Sequence, residues 1–270
     1  MIVTPEIAFL HFQKTGGSHV AKILARHMPT EHRGMHNGLP DDIARPHVWM
    51  GIRNPWDWYV SLWAYGCGPK SNIANYLKTD RLGSVRLSLA RYGRRPREWG
   101  EIARHLNAAS NKDAGFWRDC YADSYDPERF RRWLKALLGP LSDESGEEYS
   151  GTRLHRFAGL MTARYLRVAS REGDWARAKG RIGSQDDVRA YLDRHGVVTR
   201  FIQQERLTEQ MLAGLAEVIG ADAVQPVDDL ERTNASEHKG REHYYDAATR
   251  DLVAERDAVI IARHNYGFDD

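Results

Sequence analysis

Residues 7–19 constrain this chain more than any other stretch. Ile7 to Phe12 is an apolar run that reads as a buried strand. Lys14-Thr15-Gly16-Gly17-Ser18 follows, and Val20, Ile23 and Leu24 then recur on one side of a helix predicted over 18–27. Glycines between a strand and a helix permit a tight turn and a close approach to the main chain. The first amides of a helix have no partner inside it, and the helix dipole makes that end positive. Such a turn is an anion cradle, and Lys14 adds a full positive charge.

The order of residues excludes two common phosphate loops. A nucleotide-triphosphate loop reads G-x-x-x-x-G-K-[ST], with Lys after the glycines, and a dinucleotide fingerprint needs G-x-G-x-x-G. Here Lys14 precedes Gly16 and Gly17. A second informative segment spans residues 48–65. Val48 to Ile52 reads as another buried strand, and Pro55 suits a helix start because it cannot continue a ladder. Trp56, Tyr59, Val60 and Trp63 recur at helical spacing. Arg53 therefore stands at the C-terminal end of a strand, and Ser61 about two turns into the next helix.

The K-T-G-G-S stretch, together with Arg53-Asn54-Pro55 and Ser61, resembles the sulfotransferases that use 3′-phosphoadenosine 5′-phosphosulfate (PAPS). The likeness is nearest to their carbohydrate and bacterial branches. Gln13 stands where that family commonly has Pro, and Ser18 where it has Thr. Neither change removes a needed amide or hydroxyl donor. A weaker third element is Lys239-Gly240-Arg241, ahead of a helix predicted over 245–263 and an Asn265-Tyr266-Gly267-Phe268 ending.

The resemblance implies an α/β, P-loop-like three-layer fold: a central, mainly parallel sheet flanked by helices, with a helical insertion. It implies PAPS as co-substrate and adenosine 3′,5′-bisphosphate as product. The sulfuryl group would pass to a hydroxyl or amine of an acceptor, a glycan or a small molecule. Lys14, Thr15, Gly16, Gly17, Ser18 and His19 are then expected around the 5′-phosphosulfate, with Lys14 stabilising the leaving oxygen. Arg53 and Ser61 are expected on the 3′-phosphate, and Lys239, Gly240 and Arg241 closing over the nucleotide. No metal is required by this chemistry, and no ligand cluster in the sequence suggests one.

A base must take the acceptor proton, and histidine titrates nearest to neutrality. Among twelve histidines, the resemblance implies His36 as the base, since it lies in the loop between the first helix and the Arg53 strand, where that family often places a His or acidic residue facing the sulfate. His11 is expected as scaffold, and Glu98, Asp119 and Asp123 are acidic alternatives. Two readings from other classes compete: a kinase-like P-loop protein, and a non-catalytic sulfotransferase-fold binding protein. The residue order argues against the first, and the intact Lys14, Arg53 and Ser61 against the second.

A net charge of +2 gives no global field for nucleic acid. Basic side chains crowd residues 78–105, which reads as solvated surface in preference to a face for an anionic acceptor, and acids crowd residues 143–148. Cys67 and Cys120 form neither a disulfide framework nor a metal pair. No apolar run suits a membrane span, and no signal-like segment precedes the first strand. The expectation is a cytoplasmic, bacterial-type enzyme. It is one domain over 1–270, with residues 66–195 as a helical insertion or acceptor-binding region. Further helices are predicted from Asp126-Pro127 and over 154–168, 185–195 and 207–219, and a late strand over 197–202. Trp56, Trp58 and Trp63 read as helix packing in preference to an adenine platform.

Overall fold

Both apolar runs form strands, and they lie side by side. The computed structural model describes residues 1–80, 83, 86, 89–90, 112–139, 141, 149–230 and 237–270. Apart from Lys78 and Arg86, the basic side chains of 78–105 lie outside the described residues, as do Glu98 and the acidic run 143–148. In chain order the elements begin with β1 (Ile2–Val3), β2 (Ile7–Leu10), α1 (Gly17–His27), β3 (Glu31–His32) and β4 (His47–Ile52). Next come α2 (Pro55–Cys67), α3 (Asn72–Lys78), α4 (Ala114–Cys120), α5 (Pro127–Leu137), α6 (Leu160–Val168), α7 (Glu172–Ala178) and α8 (Gln185–His195). The last are β5 (Arg200–Gln203), α9 (Leu207–Ile219), α10 (Ala247–Arg256) and α11 (Ala258–His264). They fall into two compact units, Met1–Asn54 with Ala163–Ala235 and Pro55–Thr162 with Ser236–Asp270.

The first unit holds an open five-stranded sheet of order β3-β1-β2-β4-β5. β2, β4 and β5 run parallel, with Phe9 opposite Trp49 and Trp49 opposite Arg200. β1 pairs antiparallel with both β2 and β3. The fold is thus mixed α/β, and the expected mainly parallel sheet is corrected at one edge. Residues 1–5 are no mere lead-in. The Thr4 hydroxyl accepts from the Ile7 amide at 2.9 Å, and the Thr4 amide donates to the Ile7 carbonyl at 2.8 Å. That turn folds the chain start back onto β2.

Side chains alternate across the sheet. Ile7, Phe9, Trp49 and Ile202 share one face and pack with Val20, Ile23 and Leu24 of α1 and with Met211 and Leu215 of α9. On the other face Phe201 stacks on Tyr165 of α6 at 5.9 Å, and Tyr165 meets the edge of Phe12 at 6.2 Å. Burial on both faces explains why β2 reads as an unbroken apolar run.

Aromatic rings build the second unit. Trp63 of α2 meets Phe130 of α5 at 5.4 Å and Tyr244 at 5.6 Å, and Trp133 Nε1 donates to Tyr121 Oη at 2.6 Å. Trp58, Trp63 and Trp133 are fully buried, each ring contributing about 2–3 kcal/mol. Two helices expected to be continuous are broken here. Residues 154–168 form a 3-10 turn at Leu154–Arg156 and then α6, while 245–263 divides into α10 and α11 at Asp257.

One buried carboxylate stands at both breaks. Asp257 accepts from the Thr162 amide at 2.9 Å, Thr162 Oγ1 at 2.6 Å and Tyr59 Oη at 2.7 Å, and so caps the start of α6. The Met161 amide donates to the same Tyr59 oxygen at 3.2 Å. Burial pushes the Asp257 carboxyl above the usual range, against the pull of its donors. The folded state therefore holds this proton more tightly than the unfolded chain, so the cost of burying the carboxylate is absent in acid and grows as pH rises past about 3.9. No helix of the described residues is long and apolar enough to cross a membrane. Asp257→Ala leaves three buried donors without their acceptor and is expected to destabilise the fold by about 2–4 kcal/mol in urea unfolding. A change under about 0.5 kcal/mol would contradict the capping account.

Candidate anion-binding site

The cradle is built at the C-terminal end of β2. Thr15 is buried, and its hydroxyl donates to the Phe12 carbonyl at 2.8 Å. Lys14 (φ 62°) and Gly16 (φ 78°) lie on either side of it in the left-handed region. They bend the backbone sharply into α1. Gly16 is the N-cap, and the amides of His19 and Val20 close on its carbonyl at 2.9 and 3.2 Å. Among the described residues the amides of Gly16 and Gly17 have no partner. α1 carries no acid in its first turn, so nothing in the helix itself neutralises the positive end of its dipole.

Gly17 has a steric reason. A Cβ there would overlap the imidazole of His11, which packs directly on the helix start. Burial, then the neighbouring charges of His36, the chain's first amine and His32, push His11 down to about 3. His11 is therefore neutral at neutral pH.

Two cations converge on the cradle. Arg53 leaves the end of β4, and its Nη1 donates to the Lys14 carbonyl at 3.4 Å. Burial, and secondly the Arg53 charge, push the Lys14 ammonium down to about 8. Like charges disfavour each other, and a nearby anion offsets that cost. A third cation stands alongside, for Arg164 of α6 donates to Gln13 Oε1. Behind Arg53, the Asn54 amide donates to Glu205 Oε1 at 2.8 Å. Sequence reading missed Arg164 and Glu205, because nothing local marks either of them.

His36 joins the same unit. Its Nδ1 bonds the His11 carbonyl at 3.0 Å, and the two rings lie 4.8 Å apart. A carbonyl only accepts, so Nδ1 donates in this bond, and in the neutral ring that leaves the lone pair a base requires on Nε2. His36 also has a left-handed backbone, φ 58°. The described non-glycine residues with positive φ are Lys14, His36 and Asn265. Asn265 is the C-cap of α11, where that conformation is ordinary. The other two are the two residues to which the sequence assigns chemistry, and strain of this kind gathers at functional sites.

The remaining candidates divide by unit. Ser18 lies in the first turn of α1, while the ring of His19 turns to Thr208 Oγ1 of α9 at 3.1 Å. Ser61 is buried on α2 in the second unit, as is the 239–241 loop. Lys239 and Gly240 are exposed, and the Lys239 amide donates to Tyr244 Oη at 3.0 Å. Arg241, expected over the nucleotide, is instead buried. It pairs with Asp57 Oδ2 at 2.6 Å, donates to the Asp270 carbonyl and lies over the Phe268 ring at 5.6 Å. These partners make it an anchor for the C-terminal residues. Of the acidic alternatives, Asp119 is held below the usual carboxylate range by Arg129 and Arg132, which makes it a weak base. Asp123 accepts the Tyr125 amide at 2.9 Å.

No protein-family model, curated protein or solved structure matches the chain. Among the described residues no group of three or more His, Cys, Asp or Glu is placed to hold a metal ion. If the two cations are coupled as their geometry indicates, carbon-13 NMR of the reductively methylated protein should show one lysine titrating near 8. That signal should vanish in Lys14→Ala and move upward in Arg53→Ala. An ordinary lysine midpoint of about 10.4 for Lys14 would contradict the coupling.

Proposed function

We propose that the chain is a PAPS-dependent sulfotransferase with a P-loop-like fold. The observation that carries this reading is the meeting of Lys14 and Arg53 at the ends of adjacent parallel strands, beside a helix start with partnerless amides. This is a receptor for a strongly anionic group, built with the residue order of sulfotransferases and without that of a nucleotide-triphosphate loop.

The chemistry asked of these residues is modest. An acceptor oxygen or nitrogen attacks sulfur, and the bond from sulfur to the bridging 5′-phosphate oxygen breaks. The electron pair stays on that oxygen. Lys14 and the cradle amides stabilise the developing charge, as positioned donors do in phosphoryl transfer. The acceptor proton passes to His36 Nε2. Arg53 offers a planar fork for the 3′-phosphate. The resemblance adds the Ser61 hydroxyl and the Lys239 charge.

Calorimetric titration tests the donor site. Adenosine 3′,5′-bisphosphate is expected to bind in the micromolar range, and Lys14→Ala to weaken it at least tenfold, while ATP with Mg²⁺ binds poorly. Transfer of ³⁵S from labelled PAPS to a panel of hydroxyl and amine acceptors is expected to need both Lys14 and His36. Absence of bisphosphate binding would overturn the reading, and tight ATP binding in its place would favour a kinase-like protein.

A further inference from the structure

We propose that Glu205 is a positioning residue, which presets Arg53 for its anion by holding the peptide that follows it. The turn from β4 into α2 is Arg53-Asn54-Pro55. Proline has no amide proton, so the Asn54 amide is the last donor before the helix, and it donates to Glu205 Oε1 at 2.8 Å. Glu205 lies in the 3-10 turn Gln204–Arg206 that follows β5. β5 is the parallel neighbour of β4, with Gln203 opposite Ile52. The carboxylate thus arrives from the adjacent strand at the same C-terminal edge of the sheet.

Arg53 is tethered at both ends as a result. Its Nη1 reaches the Lys14 carbonyl, but at 3.4 Å that bond is long and weak. The peptide after it is held by a charge-assisted hydrogen bond, the stronger kind. Two soft dihedrals per residue otherwise let the Arg53 backbone turn, and the guanidinium fork would swing with it. Charge and geometry oppose each other at Glu205. A carboxylate beside an anion site repels the ligand, yet its oxygen is the acceptor that fixes the turn. Substitution separates the two effects, because Gln keeps the acceptor oxygen and drops the charge, whereas Ala drops both.

The choice of nucleotide probe rests on the proposed function, and wild-type binding is the control for it. Adenosine 3′,5′-bisphosphate affinity is expected to fall about tenfold in Glu205→Ala. In Glu205→Gln it should recover to within about threefold of wild type, or exceed it. In an Arg53→Ala background, Glu205→Ala should cost nothing more, since its effect passes through Arg53. Wild-type affinity in Glu205→Ala, Gln as weak as Ala, or a full additive loss in the Arg53→Ala background would each overturn the inference. A second readout needs no nucleotide. If Arg53 is released, the Lys14 NMR midpoint is higher in Glu205→Ala than in Glu205→Gln, and equal midpoints would overturn the inference. Should wild type bind no bisphosphate, the donor reading fails while this comparison still decides the role of Glu205.

Discussion

A guanidinium tied to the main chain of a lysine, strand end to strand end, organises the candidate site of the first unit. Lys14 stands at the end of β2 and Arg53 at the end of β4, one strand spacing away. Burial first, and the Arg53 charge second, push the Lys14 ammonium down to about 8. A flexible chain would let two such groups drift apart. Here a parallel pair of buried strands fixes their origins, the left-handed turn at Lys14 and Gly16 fixes the cradle, and Glu205 fixes the peptide after Arg53. The neutral imidazole of His11 under Gly17 supports the helix start without adding charge. Under the proposed function these groups would be preorganised donors for an anion.

How far the sequence reaches depends on how local each cause is. β2 with α1, and β4 with α2, were legible because an apolar run, a Gly-Gly turn and a Pro at the helix start lie within a few residues of one another. Lys14 and Arg53 were legible for the same reason, since each sits at a strand end that the pattern marks. β1 and β3 have two residues each, too few for any period to show. The carboxylate at the Asp257 break is held by Thr162, 95 residues away, and the apolar pattern of 245–263 gives no warning of it.

Long-range pairs also reshape the site. Arg164 meets Gln13, and Glu205 meets the Asn54 amide, each across 151 residues. A single helix face or turn cannot reveal such partners. Arg241 shows the converse error. Its basic, glycine-containing loop suggests an exposed phosphate contact, yet the guanidinium finds Asp57 at 184 residues' separation and is buried there. Side-chain type gave the chemistry available, while the fold decided which charged groups pair with each other.

Proton-linked binding tests the central claim most directly. If an anion sits between Lys14 and Arg53, it restores the Lys14 charge, and the bound protein holds that proton more tightly than the free one. Bisphosphate affinity, measured by calorimetry from pH 7 to 9.5, is then expected to be flat below about 8 and to fall above it. The fall approaches tenfold for each pH unit, with net proton uptake on binding. Lys14→Arg, whose charge persists throughout, should abolish the slope. A wild-type profile that stays flat across this range, or a slope that survives in Lys14→Arg, would contradict the claim that the anion is bound between these two cations.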